Sequence, residues 1–159
     1  MVALNELQKK GLKISENDIK NGFEQVIERT NLQGRWQTIG KNPLIVCDTG
    51  HNAGGFSYLT QQINAQICNT LRIVIGMVND KDIDTVLQLL PKHAVYYFTK
   101  ASIPRALNEY ELQQKASTYN LKGECYESVQ NALTQAKNDA SADDFIFVGG
   151  SNFVVAEVL

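Results

Sequence analysis

The chain has 159 residues, 43% of them hydrophobic, and a formal net charge of -2. That length suits one cored domain better than two, and the near-neutral charge excludes a broad electrostatic surface for nucleic acid or an anionic membrane. Three cysteines (Cys47, Cys68 and Cys125) at no paired spacing argue against a disulfide framework, and no window approaches a membrane span or a secretory leader. A cytoplasmic, monomeric protein with three buried thiols is the expectation.

In chain order, residues 4–10 read as a short helix ended by Gly11. "ISENDIKNGFEQVIERT" opens with a capping signature, Ser15 to Asp18, and places Ile19, Phe23, Val26 and Ile27 on one helical face. Residues 1–30 are therefore expected to be a mainly helical linker or extension, with no boundary inside 31–159. "GRWQTIGKNPLIVCD" predicts a hairpin: Trp36 to Ile39, a Gly-Lys-Asn-Pro turn, then Leu44 to Cys47, with Pro43 at the entry to the second strand.

After the hairpin the rhythm changes. "GGFSYLTQQINAQICNT" is a helix with Phe56, Leu59, Ile63 and Ile67 on one stripe. There follow a strand (LRIVIGMV), a helix (DIDTVLQLL), a strand (HAVYYFT), a helix (NEYELQQKAST), a short strand (GECYES), a helix (SVQNALTQAKNDA) and a last strand (DDFIFVGG). Such alternation predicts a three-layer, Rossmann-like α/β fold, a mostly parallel sheet covered on both faces, with the hairpin adding an antiparallel edge strand.

Ligands of open parallel sheets collect outside the carboxyl ends of the strands. Those ends carry Asp48-Thr49-Gly50-His51-Asn52, Gly76 to Asp82, Thr99 to Ser102 leading to Arg105, and Gly149-Gly150-Ser151-Asn152. The polar residues with unusual company thus belong to one rim.

Several chemistries are excluded. A single Asp-Thr-Gly on an alternating fold does not make the paired-carboxylate site of an aspartic protease. Cys47 and His51 straddle a strand end and lack two further ligands, and His93 opens a strand at the opposite rim, which argues against zinc. The order G-x-G-x-x-G is absent, and so is any G-x-x-x-x-G-K-[ST] loop, so a nucleotide held here needs the rest of its cradle from elsewhere.

"LQGRWQ", "VCDTGHNAGG", "GMVNDKD", "PRALNEYEL" and "VGGSNFVVAE" occur in the order and spacing of the C-terminal domain of folylpolyglutamate synthase/dihydrofolate synthase, which the chain resembles from about Gly22 onward. The usual family loop reads Asp-Gly-Ala-His-Asn-Pro; here Thr49, Gly50 and Ala53 stand at the variable places. The resemblance implies a Mur ligase superfamily fold and ATP-dependent addition of glutamate to folate or dihydropteroate. The carboxylate takes the γ-phosphoryl group and the glutamate amine attacks the acyl phosphate. It implies ATP and Mg2+ bound mostly by a central domain outside this sequence, which would be this chain's partner in the same polypeptide. The isolated chain is then expected to be inactive. The other reading left open is a stand-alone nucleotide- or protein-binding module without chemistry.

By resemblance, Asp48 holds the nucleotide ribose, Arg35 contacts the nucleotide, and His51 lies near the reacting phosphates as the catalytic candidate. Asn52 fixes the loop or faces the nucleotide, and Ser151 contacts glutamate. Lys81 is a further phosphate or domain-closure candidate. Each has a plainer reading. Asp48 can make an Asx turn, Arg35 a surface ion pair, and Ser151 a helix cap; the loop of Asp80, Lys81 and Asp82 can be a solvated turn with Asp82 capping the next helix. Trp36, Tyr96, Tyr97 and Phe98 are expected to pack strand faces.

Overall fold

The structure, a computed structural model, describes residues 2–79 and 82–159. It divides into two compact units, Met1–Gln33 and Gly34–Leu159. The first holds α1 (Val2–Lys9), α2 (Glu16–Glu24) and α3 (Val26–Thr30). The capping box forms: the Ser15 hydroxyl accepts the Asp18 amide at 3.1 Å, and the Asp18 carboxylate accepts the Ser15 amide at 2.9 Å. The single helix expected from Ile19 to Ile27 is interrupted at Gln25, whose φ of -111° and ψ of 18° leave helical values. The apolar stripe is split there, and none of the three helices contains a buried residue.

The second unit begins with the expected hairpin, β1 (Gln37–Lys41) and β2 (Leu44–Asp48), paired antiparallel. Two details differ from the sequence reading. Trp36 stands before the strand at φ 43°, and Gly40 and Lys41 continue the ladder, so the turn shrinks to Asn42–Pro43. Gly40 makes this possible, because a Cβ there would lie 2.8 Å from the Ile45 side chain, and an irregularity between Thr38 and Gly40 resets the register.

The remaining elements are α4 (Ala53–Asn64), β3 (Leu71–Ile75), α5 (Ile83–Leu89), β4 (Val95–Phe98), α6 (Glu109–Ser117), β5 (Lys122–Cys125), α7 (Val129–Asn138), β6 (Phe145–Gly149) and α8 (Asn152–Ala156). The strand order is β1-β2-β6-β3-β4-β5, with every pair parallel except β1 with β2. Successive strand residues face opposite layers. Val46, Ile73, Ile75, Tyr96, Phe98, Phe145 and Phe147 pack with Phe56, Leu59 and Ile63 of α4, Val86 and Leu87 of α5, and Leu112 and Ala116 of α6. Their neighbours Ile45, Cys47, Val74, Tyr97, Ile146 and Val148 pack with α7 through Val129, Ala132, Leu133 and Ala136, and with α8 through Val154 and Val155.

Trp36 stacks obliquely against Phe145 and Phe147, with centroids 6.3 and 6.2 Å away, and Cys47 is fully buried, whereas Cys68 and Cys125 are half-buried. Ile67 departs from expectation. Helix α4 ends at Asn64 with Ala65 as its cap, so Ile67 leaves the stripe and is fully exposed. No described helix is long and apolar enough to cross a membrane.

Candidate functional site

The last residues of the parallel strands stand in one row: Asp48 registers with Gly149, Gly149 with Ile75, and Ile75 with Phe98. The connections leaving β2 and β3 turn into the α4–α5–α6 layer, while that leaving β6, between them, turns into the α8 layer. A crevice must open where neighbouring connections diverge. It is a cleft of about 220 Å³ lined by His51, Asn52, Met77, Val78, Asp82, Ile83 and Gly150. Gly150 forms its floor at φ 96°, and a Cβ there would meet the Gly76 carbonyl oxygen at 2.7 Å. Only glycine closes β6 this tightly.

The β2 exit is braced from within. The buried Asp48 carboxylate accepts the Gly50 amide through Oδ1 at 2.8 Å, an Asx turn, and the Trp36 amide through Oδ2 at 2.7 Å. The second bond joins residues 12 apart and holds the chain next to Arg35. Thr49 adds two bonds to the Gly34 carbonyl, from its amide at 2.9 Å and its hydroxyl at 3.0 Å. Arg35 is exposed; its Nη1 lies 3.4 Å from the Gly34 carbonyl, and no ion pair holds it among the described residues. The guanidinium is thus free to meet an anion.

His51 is exposed, with Nδ1 3.1 Å from the Thr49 carbonyl. A carbonyl only accepts, so the neutral ring carries its proton on Nδ1 and keeps the Nε2 lone pair free. Asn52 is the N-cap of α4: its side-chain oxygen accepts the Gly55 amide at 2.8 Å and its carbonyl accepts the Phe56 amide at 2.9 Å. The amides of Ala53 and Gly54 then head the helix beside the cleft, where an anion would satisfy them. Asn52→Ala should cost about 1 kcal/mol, the usual worth of such a cap, read as a shift of the urea midpoint at unchanged slope.

Ser151 is buried, and its hydroxyl accepts the Phe153 amide at 3.2 Å as the N-cap of α8. Asp82 occupies the N-cap position of α5 without a side-chain cap bond and lines the cleft instead, which corrects the capping role expected for it. Asp80 and Lys81 lie outside the described residues. Among the described residues, no group of His, Cys, Asp and Glu converges on a metal site.

Sequence reasoning missed the cross-brace between two loops of this rim. Leu107 donates its amide to the Met77 carbonyl at 2.8 Å, and Asn79 donates to the Arg105 carbonyl at 3.0 Å, around a bridge between Val78 and Ala106. It also missed Glu109, whose charge reads as a solvated first-turn acid. The carboxylate is buried, with Lys100 Nζ 2.9 Å from Oε2. Neither pairing has a local signal, since each joins segments fixed only by the sheet.

A family model described as Mur ligase, glutamate ligase domain, matches residues 34–152. The dihydrofolate synthase/folylpolyglutamate synthase of Escherichia coli (strain K12) is 34% identical over 160 residues, which cover 99% of this chain and 36% of that protein. Among solved structures, Escherichia coli FolC in complex with DHPP and ADP superposes with a TM-score of 0.84 and 34% identity, over 98% of this chain and 36% of that one. A bifunctional folylpolyglutamate synthase/dihydrofolate synthase with Mn, AMPPNP and L-glutamate bound gives 0.81 and 30%, over 98% and 37%. The chain therefore spans little more than a third of the length of these relatives. Because the family match starts at the first residue of the α/β unit and runs through every strand to the start of α8, the chain belongs to the Mur ligase family as a glutamate ligase domain.

Proposed function

We propose that residues 34–159 are the part of an ATP-dependent folylpolyglutamate/dihydrofolate synthase that closes over nucleotide and glutamate during amide-bond formation. The observation that carries this reading is the carboxyl-edge cleft ringed by His51, Asn52, Asp82 and Gly150, in a chain of this family. ATP with Mg2+, held mostly by the upstream segment that the relatives carry, supplies the phosphoryl group that activates the folate or dihydropteroate carboxylate toward glutamate.

The residues present suit that load. The exposed Arg35 and the head of α4 offer positive charge to phosphates. Asp48 keeps lone pairs beyond its two amide bonds for a ribose hydroxyl, and through Trp36 it positions Arg35. His51 presents Nε2 where charge develops, and Lys81 is a phosphate or closure contact. Ser151, already used as a cap, turns its second lone pair and its hydroxyl proton to glutamate. We place the protein in the cytoplasm as a monomer, with no nucleic-acid or membrane partner.

The test compares two proteins: the 159-residue chain and the polypeptide that includes the upstream ligase segment. The longer protein should release phosphate only when folate or dihydropteroate and glutamate are both present, and the short chain should release none. Folate-dependent phosphate release by the short chain would refute the division of labour. Nucleotide binding with no ligation by the longer protein would favour a binding module instead.

A further inference from the structure

The connection from β4 to α6, residues 99–108, is closed by an ion pair with one buried end. Glu109, the first residue of α6, is 3% exposed; Lys100 Nζ donates to its Oε1 at 3.2 Å and stands 2.9 Å from its Oε2. Among the described residues no other side chain or amide bonds that carboxylate. Burying a charge with one partner adds little net stability, because desolvation offsets the attraction. What such a pair supplies is a fixed position for the segments it joins.

The segments joined here serve the cleft. The cross-brace from Leu107 to Met77, 2.8 Å, and from Asn79 to Arg105, 3.0 Å, ties this connection to Met77 and Val78, both on the cleft wall. On its other side the Ser102 amide donates to Glu157, next to α8, at 2.6 Å, and the Arg105 guanidinium lies 4.8 Å from the centre of the Phe153 ring in α8. Helix α8 follows directly on Gly150, the cleft floor, and on Ser151. Lys100 and Glu109 do not line the cleft themselves. The bonds that brace Asp48 and the chain around Arg35 run among residues 34–50 and to none of residues 99–109.

We infer that Lys100 and Glu109 are positioning residues for the glutamate end of the cleft. Their ion pair closes the 99–108 connection, and that connection holds the β3 exit against the start of α8. The inference rests on the proposed function for the substrate it names. The nucleotide end, braced separately, does not depend on the pair.

Lys100→Met, Glu109→Gln and the double variant test this. In the 159-residue chain, hydrogen exchange of the Leu107 and Asn79 amides should quicken about tenfold or more in each single variant, while the amides of β3 and β6 keep their protection. In the polypeptide with the upstream segment, the KM for glutamate should rise about tenfold in each, with the KM for ATP unchanged. The double variant should be no worse than the singles, because both residues act through one pair. If Lys100→Met fails to fold for want of a partner to the buried carboxylate, Glu109→Gln, neutral and of the same shape, decides. Unchanged exchange at Leu107 and Asn79 overturns the inference. So does a glutamate KM equal to wild type, or an ATP KM that rises in step with it. A Lys100→Met effect on glutamate that adds to that of Glu109→Gln also overturns it, since Lys100 would then touch substrate directly. A longer protein that ligates nothing loses the proposed function, and exchange in the short chain then decides the role of the pair by itself.

Discussion

His51→Ala, made in the polypeptide with the upstream segment, is expected to lower turnover on the order of 100-fold and to leave ATP affinity nearly unchanged. A group that meets charge developing in the transition state is worth about 2.7–4 kcal/mol there and little in the ground state. The imidazole is exposed and, among the described residues, makes one bond, 3.1 Å, to the carbonyl of a residue two positions earlier, so its loss should hardly alter the urea midpoint. Asp48→Ala should differ on both counts. Two amides, of Trp36 and Gly50, lose a charged acceptor worth roughly 1.5–3 kcal/mol per bond, so the melt should shift downward. The chain at Arg35 is released at the same time, and the ATP KM should rise about tenfold or more. Arg35→Ala should reproduce the KM effect without the shift in stability, because its side chain is exposed and, among the described residues, makes one long bond of 3.4 Å to the Gly34 carbonyl and no ion pair. Steady-state kinetics with ATP and glutamate varied separately, beside a denaturant melt of each variant, resolve these patterns. Full activity with normal nucleotide dependence in all three variants would make the loop scaffold and nothing more.

The largest purely structural effect is expected at the opposite edge of the sheet, where Arg72 joins three elements. Its Nε donates to Asp144 at 3.0 Å, its Nη1 to the Tyr97 hydroxyl at 2.9 Å and its Nη2 to the Asp139 carbonyl at 2.6 Å. Asp144, itself buried, also accepts the Thr70 amide at 3.1 Å and the Ser141 hydroxyl at 3.0 Å. Arg72→Ala leaves that carboxylate without its cation and should cost about 3–5 kcal/mol, or roughly 6–20 °C in Tm. Arg72→Met with Asp144→Leu should recover much of the loss, because no unpaired charge is then left behind.

The same network sets a pH dependence. Burial opposes ionisation of Asp144, but its bonds from Ser141 and the Arg72 guanidinium outweigh this and hold the carboxyl below its ordinary value of 3.8. A carboxyl depressed on folding adds stability above its unfolded pKa, and that stability is lost as pH falls through the folded value. The wild-type midpoint should therefore drop below about pH 4, and the part contributed by Asp144 should vanish in Asp144→Asn. Tyr97, pushed up to about 12 by burial and then by its bond to Asp139, takes no part in that range. An Arg72→Ala melt matching wild type, or an unchanged acid profile in Asp144→Asn, would show that packing alone holds this edge.

The order of strands and helices was legible in the sequence because it rests on periodicity, a property of neighbouring residues. Short, largely apolar runs such as Leu71–Ile75, broken only by Arg72, and Phe145–Gly149 read as strands covered on both faces, and they bring Asp48, Thr99 and Gly149 to one rim without knowledge of strand order. The break at Gln25, the exposure of Ile67 and the burial of Glu109 were not legible, since each depends on where a helix ends or on what lies across from it. The bond from the Trp36 amide to Asp48 is of the same kind. Both residues stood out as separate signals, one aromatic and one acidic, but their meeting follows from the register of the hairpin and from the positive φ at Trp36. Composition, periodicity and turn chemistry by themselves determined the layers and the edge where a site must lie. Only the tertiary structure decided which lone pairs on that edge are spent on the backbone, as at Asp48, Asn52 and Ser151, and which polar groups stay exposed with a single bond each among the described residues, as at Arg35 and His51. Hydrogen-bond partners far apart in sequence are assigned by geometry, and a linear chain carries no record of that geometry until it is packed.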